Sequence, residues 1–178
     1  MADMTPLVDL VIEDDRWNTV PLEDLAERAA QATLATLGLP AQGYEIALLA
    51  CDDARIADLN RQFRSKPAPT NVLSWPSWDL GAEHDGDHPD HAPDGDPDDP
   101  EPLGDIALSY DTCAQEAQQQ DKTFADHLTH LVVHSTLHLL GYDHIRDKDA
   151  AMMEEIEIRI LAMLGVADPY ADGAEMPL

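Results

Sequence analysis

The segment His134-Ser-Thr-Leu-His138-Leu-Leu-Gly141-Tyr-Asp-His144 constrains this chain more than any other feature. Two histidines four residues apart on a helix share a face, so His134 and His138 can reach one ion together. Gly141 is placed to end that helix, because a left-handed cap costs glycine little, and the turn it allows can bring His144 back as a third ligand. Three protein ligands leave one tetrahedral position open, which separates a catalytic zinc site from a closed structural one. A helical histidine pair alone would read as surface or core residues. The third histidine behind a helix-ending glycine argues against that reading. Leu137, Leu139 and Leu140 supply apolar flanks suited to a buried, rigid helix. His127 and His130 lie further back on the same helix. His130 is one turn before His134 but about 12 Å of rise from His138, so it cannot complete the set and is expected to support the site or face solvent.

Hydrophobic patterning around this segment describes an α/β (α+β) domain, a small mixed sheet covered by helices with the metal site on a C-terminal helix. Leu7 to Ile12 reads as a strand, and Pro21 opens a helix that runs to about Leu37, closed by Gly38 and Pro40. Tyr44 to Cys51 has the continuous apolar run of a buried strand, and Asp52 or Asp53 can cap a helix that Pro67 and Pro69 stop. Asn71 to Trp75 and Gly104 to Ser109 read as short strands. Helices are predicted over Asp111 to about Gln120, Phe124 to Leu140, and Lys148 to Leu164. All of residues 1–178 fit one domain. Residues 81–102 contain only Gly, Ala, Pro, His, Asp and Glu, and are expected to form a mobile acidic insertion because they bring little apolar area to bury. Its His84, His88 and His91 read as solvated rather than as a second metal site.

The formal net charge of −26 argues against DNA or any other polyanion held by a broad basic face. The insertion contributes nine acids and no Lys or Arg, and the remainder is still acidic. No apolar run is long enough to span a bilayer, and the first residues do not read as a secretory signal. Cys51 and Cys113 form no Cys-x-x-Cys pair, so small buried apolar side chains in a reduced, cytoplasmic setting are the simplest expectation.

The histidine segment resembles the hallmark of the YbeY family, bacterial metal-dependent endoribonucleases of ribosomal RNA maturation and ribosome quality control. A second block supports the resemblance: Leu59-Asn-Arg-Gln-Phe-Arg64, followed by Pro69-Thr70-Asn-Val-Leu-Ser74-Trp75-Pro76. Gly104-Asp-Ile and the ending Leu164-Gly-Val-Ala-Asp-Pro-Tyr170 also have the family's character. The resemblance implies one zinc ion on His134, His138 and His144, with Arg64 and His138 as the catalytic residues, His138 through the ion it holds. It implies single-stranded ribosomal RNA as substrate, cleavage in 16S ribosomal RNA 3′-end maturation, and the small ribosomal subunit or its proteins as partners. Ser135 stands where the family commonly has glycine, and Trp75 where it has phenylalanine.

The residues themselves bear on the chemistry. In His-Glu-x-x-His peptidases the glutamate beside the first histidine is the general base, and Ser135 cannot take that part. RNA needs such a base less, since its own 2′-hydroxyl, or a water activated by zinc, can attack the phosphate. Arg64 offers a planar fork for two phosphate oxygens where negative charge builds; without the resemblance it would read as a surface arginine at a helix end. Arg61 and Lys66 make residues 61–66 the densest basic cluster of the chain. Asp143 either orients a histidine ring or caps the turn after Gly141. Tyr142 reads as packing, and Thr70 and Ser74, polar residues at a strand edge, as loop hydrogen-bonding residues rather than substrate contacts. Two other functions remain open at this level: another zinc hydrolase of peptidase type, and a non-catalytic ribosome-associated factor with structural zinc.

Overall fold

Parallel and antiparallel pairing meet in one four-stranded sheet, built from β1 (Val8–Ile12), β2 (Tyr44–Cys51), β3 (Val72–Pro76) and β4 (Glu101–Ser109) in the order β1-β2-β4-β3. β1 and β4 both run parallel to β2, and β3 is antiparallel to β4. The computed structural model describes residues 5–65 and 68–171, without the side chain of Arg64. Among the described residues, five α-helices pack with the sheet: α1 (Leu22–Thr36), α2 (Asp53–Arg64), α3 (Tyr110–Gln119), α4 (Phe124–Leu139) and α5 (Asp147–Met163). None of the described helices is long and apolar enough to cross a membrane.

Strand alternation sorts the side chains of β2 between two cores. Tyr44, Ile46, Leu48 and Ala50 face α1 and α4 in the large core, together with Ile106 and Leu108 of β4. Cys51, Leu73 and Ala107 face the other way, where α2 covers them with Ile56 and Leu59. Both cysteines are buried, and burial pushes the Cys51 thiol up to about 12, so it packs as a small apolar group. A short 3-10 helix, Asp15–Thr19, was not foreseen; it sinks Trp17 completely, its indole N–H donating to the Cys51 carbonyl at 2.9 Å. Stacking of Trp17 on Phe124 fixes the start of α4 against this corner.

Buried residues surround α4 on nearly every side, as expected of a helix at the centre of a domain. Thr123 caps it, its side-chain oxygen accepting from the Asp126 amide at 3.1 Å. Gly141 stops it at φ +100°, and the Tyr142 amide donates back to the Leu137 carbonyl while the Gly141 amide donates to His138. These two bonds are the paired closure of a left-handed helix end. The chain therefore reverses directly behind His138.

Residues 77–100, between β3 and β4, contain no helix or strand, and the acidic stretch ends two residues earlier than expected because Glu101 and Pro102 belong to β4. Polar ties fasten this segment to the domain. The Tyr44 hydroxyl donates to the Pro93 carbonyl at 2.7 Å and the Asp96 amide to the Gly43 carbonyl, while within the segment the Asp90 amide donates to Leu80. Composition gave no sign of these ties, since most of them use backbone groups that every residue carries.

Candidate metal centre

α4 and the turn behind it bring His134, His138 and His144 together, each offering a ring nitrogen within 4.8 Å of the others. Ring centroids lie 5.4 Å apart for His134 and His138, 5.3 Å for His134 and His144, and 5.7 Å for His138 and His144. Tetrahedral zinc with bonds of about 2.0–2.1 Å wants its nitrogens roughly 3.4 Å apart, which modest ring rotations reach from this arrangement. His134 is fully buried, while His138 and His144 are half-buried, so the cluster is closed below and open on one side. Nε2 of His134 is buried and has no hydrogen-bond partner. A buried, unpaired ring nitrogen costs desolvation unless something binds it, so the donor set fits a metal ion.

A carboxylate that the sequence reading missed stands behind the cluster. Glu157 of α5 is wholly buried, and its Oε1 lies 3.3 Å from Nδ1 of His134. It also accepts from Nε2 of His130 at 2.8 Å and from the Tyr170 hydroxyl at 3.0 Å. The approach to His134 is too poorly aligned to count as a full hydrogen bond, yet it places negative charge on the Nδ1 side and turns Nε2 toward the other two histidines. Burial alone would raise the Glu157 carboxyl; the His130 hydrogen bond and the neighbouring His134 outweigh it and hold it at about 2. His130, expected to support the site or face solvent, is buried and supports it through Glu157. The signal for Glu157 was present in the sequence: a charged residue on the apolar face of a helix, among Met153, Ile156, Ile160 and Leu161.

Other expected residues fall as follows. His127 is buried and pairs with Glu116 at 3.0 Å, away from the cluster. Asp143 accepts from the His144 amide at 2.7 Å, which favours the turn over the ring as its partner. Tyr142 is buried, as packing requires. Thr70 and Ser74 are buried at the strand margin. Ser135 is buried and carries no acid, so nothing beside the first histidine replaces the peptidase glutamate. Arg64 is the last residue of α2, and its side chain lies outside the described part, as does Lys66. Arg61 is ion-paired with Asp58, so the basic cluster read from residues 61–66 is partly neutralised within its own helix. A cavity of about 500 Å³ opens beside the metal cluster, lined by His138, Tyr142, Asp143, Trp78, Asp79 and Leu80.

A family model described as Endoribonuclease YbeY matches residues 11–165 of this chain. The chain belongs to the YbeY family. Among curated members, the Endoribonuclease YbeY of Cereibacter sphaeroides is 56% identical over 167 residues, covering 94% of this chain and 100% of that protein. That of Ruegeria pomeroyi is 58% identical over 163 residues, covering 92% of this chain and 97% of the relative. The Paracoccus denitrificans member is 53% identical over 170 residues, covering 96% and 93%. The solution structure of TM1509 from Thermotoga maritima resembles the present fold with a TM-score of 0.56 at 20% identity, covering 93% of this chain and 90% of that one. At that identity the likeness speaks for the fold alone. The three histidines lie inside the residues that the family model matches.

Proposed function

We propose that this protein is a zinc-dependent endoribonuclease that cuts single-stranded ribosomal RNA, acting in 16S ribosomal RNA 3′-end maturation and ribosome quality control in the cytoplasm, with the small ribosomal subunit or its proteins as partners. The observation that carries the reading is the open three-histidine cluster with its unpaired His134 Nε2, in a chain whose relatives are named endoribonucleases. His134, His138 and His144 would hold one ion. When bound, zinc supplies Lewis-acid polarisation of a phosphoryl oxygen. The Glu157 carboxylate 3.3 Å from Nδ1 puts negative charge on that side of the His134 ring, which favours the tautomer whose Nε2 lone pair is free for the cluster. Arg64 is assigned to the phosphate, where a planar guanidinium can balance the charge that accumulates as the bond breaks. RNA brings its own 2′-hydroxyl, so the absence of an acid at position 135 weighs against peptide hydrolysis and not against this reaction. A purely structural zinc is disfavoured because the side of the cluster carrying half-buried His138 and His144 opens on a cavity. The deciding experiment incubates the protein, stripped of metal and then reloaded with zinc, with a single-stranded ribosomal RNA fragment. Cleavage by the reloaded wild type, and none by the stripped protein or His138→Ala, is expected; equal cleavage by all three would remove the metal from the reaction.

A further inference from the structure

The acidic segment after β3 grips the turn that carries His144 from both sides. On the near side, Gly141 lies so close to the segment that an added Cβ would stand 2.8 Å from both the Leu80 carbonyl carbon and the Pro89 Cβ. On the far side, α5 begins three residues after His144 without a cap of its own, since Arg146 at its N-cap offers no side-chain acceptor. Asp85 supplies the missing cap from across the chain, its carboxylate accepting from the amides of Asp149 at 2.9 Å and Lys148 at 3.4 Å. Asp149 returns the contact by accepting from the Gly86 amide at 2.8 Å. This is the reciprocal logic of a capping box, carried out between distant segments. Arg146 completes the lock: Nε donates to Asp149 at 2.6 Å, and Nη1 and Nη2 donate to the carbonyls of Glu83 and Ala82 at 2.8 Å each.

We propose that residues 80–90 form a clasp that holds His144 in position for the metal, with Asp85 and Arg146 as positioning residues; the inference rests on the metal reading of the three histidines. His134 and His138 are fixed by the helix that carries them, whereas His144 sits on a turn with only five other residues between the end of α4 and Arg146. A turn held at one end alone would let the third ligand swing, and the affinity of a three-ligand site falls when the third must be ordered on binding. The negative charge of Asp85 also complements the N-terminal dipole of α5. The segment therefore does for the third ligand what Glu157 does for the first.

The test measures zinc affinity of the full chain by competition with a chromophoric chelator, in parallel with thermal melts of the zinc-free protein. Asp85→Ala and Arg146→Ala are expected to weaken zinc binding on the order of 10- to 100-fold, the usual effect of removing a group that orients a ligand. Asp85→Asn keeps an acceptor oxygen for the Asp149 amide and should recover most of the loss. Amides of residues 141–146 should exchange faster in zinc-free Asp85→Ala than in wild type. Asp52→Ala, which removes the cap of α2, should lower the melting temperature and leave zinc affinity unchanged. If Asp85→Ala does not fold, Arg146→Ala leaves the cap of α5 intact and carries the same comparison. Wild-type zinc affinity in both clasp variants, or an equal loss in Asp52→Ala, would overturn the clasp while the metal site stands. A wild type that binds no zinc would overturn the metal reading and this inference with it.

Discussion

Replacing Glu157 by glutamine removes one charge and almost no volume, so its consequences come from polar chemistry and not from a cavity. The carboxylate is fully buried and accepts from His130 at 2.8 Å and from the Tyr170 hydroxyl at 3.0 Å. Each hydrogen bond to a charged group is worth about 1.5–3 kcal/mol, and an amide can keep only one oxygen in the pocket while turning an NH₂ toward one of these donors. Desolvation of the carboxylate opposes this, which brings the expected cost to about 3 kcal/mol, at the low end for a broken buried pair. For a chain of this size, each kcal/mol moves the melting temperature by about 2–4 °C, so the zinc-free variant should melt roughly 6–12 °C below wild type. Loss of the charge behind His134 should also weaken zinc binding on the order of 10- to 100-fold. The assay is a thermal melt of zinc-free protein joined to a chelator competition, with His130→Ala and the double variant closing a cycle. A melting temperature within about 2 °C of wild type together with unchanged zinc affinity would refute the reasoning, because the carboxylate would then be neither holding His130 nor orienting His134.

His138→Ala should purify with little zinc, since two ligands hold an ion far more weakly than three; full stoichiometric zinc by elemental analysis would end the three-histidine assignment. Arg64→Ala should keep zinc content and melting temperature while cleavage of single-stranded ribosomal RNA falls on the order of 100- to 1,000-fold, and Arg64→Lys should recover part of it. Wild-type cleavage by Arg64→Ala would take that arginine out of the reaction. Gly104→Ala should be severely destabilising: at φ +145° its Cβ would meet the Trp75 carbonyl oxygen at 2.3 Å and Leu139 at 2.7 Å, so β3, β4 or α4 must move. Soluble protein with a wild-type urea midpoint would show that this corner can yield.

Local physics was legible from the residues. The limits of β2 at Tyr44 and Cys51 follow from one apolar run, and the end of α4 follows from Gly141, because period, capping and left-handed turns depend on neighbours in sequence. For the same reason the histidine spacing alone placed His134 and His138 on one helix face with His144 turned back behind a glycine. The strand order β1-β2-β4-β3 was beyond reach, since nothing local tells β4 to insert between β2 and β3. The 3-10 helix at Trp17 was hidden too, its reason being a distant carbonyl, that of Cys51.

What the sequence by itself determined, then, is the candidate ligand set: three histidines whose separation is fixed by helix rise and one glycine. What only the tertiary structure decided is how those ligands are held. Glu157 reaches His134 because α5 packs on α4, and Asp85 reaches the start of α5 across more than sixty residues of chain. Such partners are chosen by proximity in space, and an acidic residue in a polar stretch looks the same in sequence whether it faces solvent or caps a helix. The physical reason is that a ligand's identity is set by its own side chain, while its orientation is set by whatever the fold places behind it.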